Sequence, residues 1–289
     1  MRGLTFLLVM GLAAAPGGCG GLRGEPEGAG DPPHGPGGLP AMPGDANSNA
    51  AENGPGKPKR YQIVVTVKLT TIEVPVGTAS GSEDVWSYLD EEPVKPVRSA
   101  DLGRNGFRVG LGREGSWPDL VRVLKRMTGR SPKQSLVATM PGAPLPIVLK
   151  EKQEAQTIFA FHSDRTLSGR DYPPGDYLLA VVCTLDEDDL SKVLITAMPQ
   201  VRSARSRKTF TMKKAGPGIV VKSDVYDFAP LAFQLLIPPK GFVVIGPGAN
   251  SRNPISAGHH FLVRKKEGME FETLLVLTPE VFATPVRGQ

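Results

Sequence analysis

A chain of 289 residues, 40% of them hydrophobic, is long enough for one large core or two small ones. Two cysteines exclude a disulfide-stapled scaffold. A net charge of +5, from 34 basic and 29 acidic residues, makes no whole-molecule case for nucleic-acid binding.

The first predicted element is a secretory signal over residues 1–18. Arg2 supplies its positive charge, and Leu4 to Ala15 is almost wholly apolar. A stretch of that length is too short to span a bilayer core of about 30 Å as a helix. Ala13-Ala14-Ala15 has the small-x-small form of an ordinary cleavage site. Pro16 would follow that cut, with its fixed φ and no N–H, and this disfavours it. The other cut precedes Cys19, after Gly17-Gly18, and resembles a bacterial lipobox. That resemblance implies a lipid on Cys19, an exported protein and a membrane anchor at the periplasmic or outer-membrane face. A plain secreted protein and an uncleaved anchor are the alternatives. Residues 19–59 are rich in Gly, Pro, Ala and Asn and poor in large apolar residues. They read as a disordered tether, because they cannot bury enough surface to offset their ordering entropy.

Two folded regions are expected beyond it, an α+β region over 60–190 and a β-rich module over 191–289. "YQIVVTVKLTTIEVPVG" reads as one long strand or a bent pair. "SEDVWSYLDEE" predicts a short helix capped by Ser82, and Asn105-Gly106 predicts a turn into the strand "FRVGLG". "SWPDLVRVLKRMTGR" is the best helix. Ser116 is its expected cap, Leu120, Val121, Leu124 and Met127 its apolar stripe, and Gly129 its end. Short apolar runs follow, divided by turns such as Tyr172-Pro173-Pro174-Gly175 and Pro238-Pro239-Lys240-Gly241. The expected fold is α+β and β-rich, mostly antiparallel sheet with one or two helices. Cys183, in "YLLAVVCTL", reads as a buried small hydrophobe.

Chemistry-bearing patterns are sparse. Gly110-x-Gly112-x-x-Gly115 lies between a strand and a helix, as in a dinucleotide fingerprint. It lacks the later carboxylate and the second βαβ half, so a plain Gly-rich loop and no cofactor are expected. His259-His260, read as strand residues, point to opposite faces and make a poor metal pair; no metal site is expected. Asp186-Glu187-Asp188-Asp189 lacks the central Gly and closing Glu of a calcium loop and reads as a solvated turn. No nucleophile elbow and no supported Cys-His pair is present, so no catalytic residue is assigned. "VRSARSRKTFTMKK" places Arg202, Arg205, Arg207, Lys208, Lys213 and Lys214 in one strip, a candidate contact for envelope polyanions; the alternative is an exposed, charge-rich hairpin, and alternation with Val201, Phe210 and Met212 favours a half-exposed sheet edge.

The last third carries a resemblance. "LITAMPQVRSARSRKTFTM", "KGFVVIG" and "NPISAGHHFLVRKKEGMEFETLLVLTPEVF" follow one another as in the core domain of the secretins, the outer-membrane pores of type II and III secretion. The matching residues are Pro199, Val201, Gly241, Gly246, Pro254, Gly258, Phe261, Glu272, Leu274, Leu275, Val276, Thr278 and Pro279. "VTVKLTTIEV" is similar to the opening strand of that core. The tether and the stretch from Trp86 to Glu91 look like envelope lipoproteins of planctomycete-type bacteria, a likeness that implies no activity. Together these imply a lipid-anchored, non-enzymatic envelope protein with a structural or interaction role in an outer-membrane or secretion-type assembly. Its expected partners are the membrane, through Cys19, and an envelope protein or further copies of itself. The alternative is an envelope enzyme or small-ligand binder.

Overall fold

The computed structural model describes residues 61–129, 132–213 and 216–285. The expected signal, Cys19, the tether and Lys214 lie outside the described residues. In chain order the elements are β1 (Tyr61–Pro75), α1 (Pro96–Arg104), β2 (Phe107–Gly112), α2 (Trp117–Thr128), β3 (Lys133–Thr139), β4 (Pro144–Gln153), β5 (Gln156–Phe161) and β6 (Leu167–Tyr172). There follow β7 (Gly175–Leu185), β8 (Val193–Lys213), β9 (Gly216–Asp227), β10 (Phe233–Ile237), β11 (Phe242–Pro247), α3 (Ala257–Leu262), β12 (Val263–Lys266) and β13 (Met269–Pro285). The β-rich, antiparallel α+β class expected from sequence is the one observed, with three short helices.

Sheet A runs β2-β11-β13-β1-β3, with β12 added to β13. Sheet B runs β10-β8-β7-β4, with β9 extending along β8. β5 and β6 form a separate hairpin. Both sheets draw strands from residues 60–190 and from 191–289. β1 and β13, from opposite ends of the described chain, pair continuously from Tyr61↔Pro285 to Pro75↔Phe271.

The burial pattern shows why the sheets stack as they do. Val243 and Ile245 of β11, and Leu275 and Leu277 of β13, join a core with Tyr177, Leu179, Val181, Ile195 and Phe233 of sheet B. Their neighbours Val244, Leu274 and Val276 join a second core with Leu120, Val123 and Leu124 of α2 and with Trp86. Sheet A is therefore covered on both faces, and β11 and the middle of β13 read as unbroken apolar runs, whereas β1 alternates in part. Each fully buried Val or Leu adds about 1.5–3 kcal/mol. Among the described residues sheet B packs against sheet A through one face, and its other face is more open, with Val148 and Leu236 exposed and Leu178 buried. β8 alternates, with Val193, Ile195, Ala197, Pro199 and Val201 buried and the residues between them partly exposed.

Local expectations met mixed outcomes. α2 ends at Gly129, whose left-handed backbone (φ +62°) donates its N–H to the Lys125 carbonyl. Ser116 does not cap α2. Its hydroxyl donates to the Arg113 carbonyl instead, and Val123 rather than Val121 completes the buried stripe. "SEDVWSYLDEE" makes only a 3-10 turn at Trp86–Tyr88, because Trp86 is drawn into the core and its indole N–H donates to the Ala79 carbonyl at 3.0 Å. "KVLITAMPQV" and "KTFTM" are one strand, β8, bent by an irregularity between Arg202 and Ser206.

Candidate functional site

The sequence-predicted basic strip falls on the distal half of the β8–β9 hairpin. Beyond the irregularity, Ser206↔Ser223, Arg207↔Lys222, Lys208↔Val221 and Phe210↔Ile219 pair across a two-stranded arm. Cross-strand partners share a face and alternate residues change face. One face thus carries Lys208, Phe210, Ile219 and Val221, and the other Arg207, Lys222 and Asp224. Phe210 is 79% exposed, and Ile219, Val221 and Val225 are also in the open. The strip is therefore not one cationic surface. Arg202 lies in the body of sheet B, paired with Asp176 at 2.8 Å, and Arg207 pairs with Asp224 at 3.1 Å. Arg205 and Lys208 are exposed. Lys213 ends β8, and Lys214 lies outside the described residues. The arm face that carries Lys208 also exposes Phe210, Ile219, Val221 and Val225.

A second site is one that the strand pattern hid. In β4, Val148 pairs with Leu178 and Lys150 with Tyr177, so Leu149 is an extra residue, a β-bulge. The bulge turns both Leu149 and Lys150 inward. Opposite them lies "SAGHH", which is helical and not strand. The Ser256 hydroxyl accepts the His259 N–H at 3.1 Å and starts α3. The two imidazoles therefore do not flank a strand; their rings are 6.1 Å apart. His259 Nδ1 donates to the Ser251 carbonyl at 3.0 Å. His260 Nε2 is buried with no hydrogen-bond partner among the described residues. β4, α3, β12 and β13 together enclose a cleft of about 800 Å³, lined by Lys150, His260, Arg264 and Glu270 among others. Burial, with the nearby Arg264 charge, pushes the Lys150 ammonium down to about 7. Burial and the Lys150 charge push His260 down to about 4.

Other polar groups are structural. Glu272 is fully buried in β13. Its carboxylate accepts from the backbone N–H of Gly77, Ala79 and Ser80 at 2.8–3.0 Å and from the Ser80 hydroxyl at 2.5 Å, which pins the loop after β1. Arg108 lies over the Trp86 ring between Glu83 and Glu91. Its hydrogen bond to Glu83 holds that carboxyl below its usual range. Gly110 and Gly112 are strand residues of β2 that leave room for the Leu89 side chain and the Phe242 ring. A Cβ on Gly112 would lie 2.0 Å from that ring, so close packing accounts for both glycines. The acidic turn joins β7 to β8, with Asp189 bound to Ser191 and Lys192. Among the described residues no group of three His, Cys, Asp or Glu side chains is arranged to hold a metal. No described helix is long and apolar enough to cross a membrane.

No family model matches the chain, and no curated protein matches it. Among solved structures the chain is similar to the secretin domain β-barrel of InvG, from the Salmonella SPI-1 injectisome NC-base. The identity is 9%, the match covers 78% of this chain, and the TM-score is 0.13. The chain spans 61% of that structure's length. A likeness of this size assigns neither a family nor an activity.

Proposed function

We propose that this chain is an exported, lipid-anchored envelope protein whose role is assembly, and that sheet B with its arm is the surface through which it associates. The observation that carries the reading is the row of Phe210, Ile219, Val221 and Val225, exposed on the arm face that continues the uncovered side of sheet B. Exposed apolar rows of this kind mark contact surfaces. Among the described strands β9 pairs with β8 alone, and a free strand edge beside such a row is a template for adding another strand. The occupant is a further copy of this chain. The secretin resemblance of residues 191–284 points to the finer form of this reading, an outer-membrane, secretion-type assembly.

The test compares detergent-extracted full-length protein with Phe210→Ser/Ile219→Ser/Val221→Ser by crosslinking and light scattering. The expected result is multiple copies for wild type and a monomer for the variant, with unchanged thermal stability. Wild type that stays monomeric at high concentration removes the reading, and capture of a different envelope protein reassigns the occupant. Cys19→Ser is expected to move the protein out of the membrane fraction, read by fractionation.

A further inference from the structure

The bulge in β4 has a chemical result that assembly does not explain. Lys150 is 8% exposed, and its ammonium donates to one described group, the His259 carbonyl at 3.2 Å. No described carboxylate forms an ion pair with it. An ammonium carries three donors and a full charge, and burying it is costly unless a counter-charge and acceptors meet it. Beside it, His260 Nε2 is buried and unpartnered among the described residues. Arg264 reaches the same cleft with a guanidinium that donates to the Leu149 carbonyl and lies 3.6 Å from Glu73. The charged groups facing Lys150 are Arg264 and Lys265 from β12, Glu270 from β13, Glu151 from its own strand, and the two imidazoles of α3. Lys150, Arg264 and Lys265 meet Glu151 and Glu270 around one concave space of about 800 Å³, and Glu73 pairs with Arg264, so Lys150 is the buried cation left without a carboxylate at ion-pair distance among the described residues. β-Bulges are enriched beside binding sites, where they re-aim a side chain, as this one re-aims Lys150.

We propose that this cleft binds a small oxyanion, a carboxylate or phosphoryl group, with Lys150 as its counter-ion and His260 and Arg264 as flanking donors. The ligand supplies the charge that Lys150 lacks, accepts its remaining N–H groups and gives His260 Nε2 an acceptor. A nearby anion favours the charged forms of both groups. Burial and the neighbouring positive charges hold Lys150 near 7 and His260 near 4, so binding near neutral pH draws protons onto the site. The volume admits a small organic acid or phosphate ester with room for its body.

Calorimetric titration tests this. Full-length protein is titrated with sodium phosphate and, separately, with sodium acetate, near pH 7 and at constant ionic strength. Each titration is run in two buffers of different ionisation enthalpy, so that proton uptake is read along with affinity. Saturable binding of at least one anion, with net proton uptake, is expected. Phosphate alone identifies a phosphoryl ligand, and acetate alone a carboxylate. Lys150→Met is expected to weaken binding by at least about tenfold and to abolish the uptake, while circular dichroism remains that of the folded protein. His260→Phe is the second variant, expected to fold and to bind more weakly. The proposal is overturned by the absence of saturable heat from either anion in wild type, or by unchanged affinity and proton uptake in the variants.

Discussion

At the scale of single residues, the largest stakes lie with buried polar groups whose partners are fixed. Removing the Glu272 side chain leaves three backbone N–H groups and one hydroxyl without their acceptor. Glu272→Ala is expected to cost about 3–5 kcal/mol, read as a lower urea midpoint. A change under about 0.5 kcal/mol would show that the loop after β1 does not depend on this carboxylate. Lys150 sets a pH dependence of known sign. Its folded value of about 7 lies below its ordinary 10.5. Below pH 7 both folded and unfolded chains carry the proton, and the burial penalty is felt in full. Between about 7 and 10.5 the folded chain has released the proton while the unfolded chain keeps it, so stability rises with pH. His260, lowered from 6.5 to about 4, adds a rise over that lower window. Denaturant midpoints measured from pH 4 to 10 should climb in both windows, and Lys150→Met should flatten the upper one. Cys183 is fully buried and its thiol is pushed up to about 11 by burial. Iodoacetamide should therefore label it only after unfolding, and rapid labelling of native protein would contradict its placement.

At the scale of elements, the contrast is between a ladder that is covered and an arm that is not. β1 pairs with β13 over its whole length, with apolar side chains buried on both sides. The arm of β8 and β9 has two strands, and its described side chains are mostly exposed. Amide exchange is expected to be slowest in β1, β11 and β13 and faster by orders of magnitude in residues 204–225 of the free monomer. Protection of the arm on concentrating wild type, absent in the serine variant, would tie that arm to association. An arm already protected in the monomer would mean that some part of the same chain covers it.

For the whole molecule, the three layers explain which surface is left over. α2 covers one face of sheet A, sheet B covers the other, and nothing among the described residues provides a fourth layer for sheet B. Its outward residues include Val148 and Leu236, both partly exposed and apolar, in line with the apolar face of the arm. An assembly that uses this side buries it without disturbing the core. This is why the serine variant is expected to lose association while keeping its melting temperature.

Much of this was legible in the residues. Apolar runs such as "FVVIG" and "LLVL" were legible as strands, while their burial on both faces came from the packing of α2 and sheet B against sheet A. Gly129 announced the end of α2, because a left-handed cap favours a residue without a Cβ. The alternation of charged residues with Val201 and Phe210 was legible as a charge-rich hairpin or half-exposed sheet edge. The Lys150 cleft was not legible. Strict alternation from Ile147 and Leu149 sends Lys150 to solvent, and only the register of β4 against β7 inserts the bulge that reverses it. "HHFLVR" looked like a strand because its first turn of helix depends on Ser256 and on packing against Asn105, whose carbonyl accepts the Gly258 N–H at 2.6 Å. Periodicity and turn chemistry are local and can be read along the chain. Bulges and short helices are decided by what packs across from them, and that partner is far away in sequence.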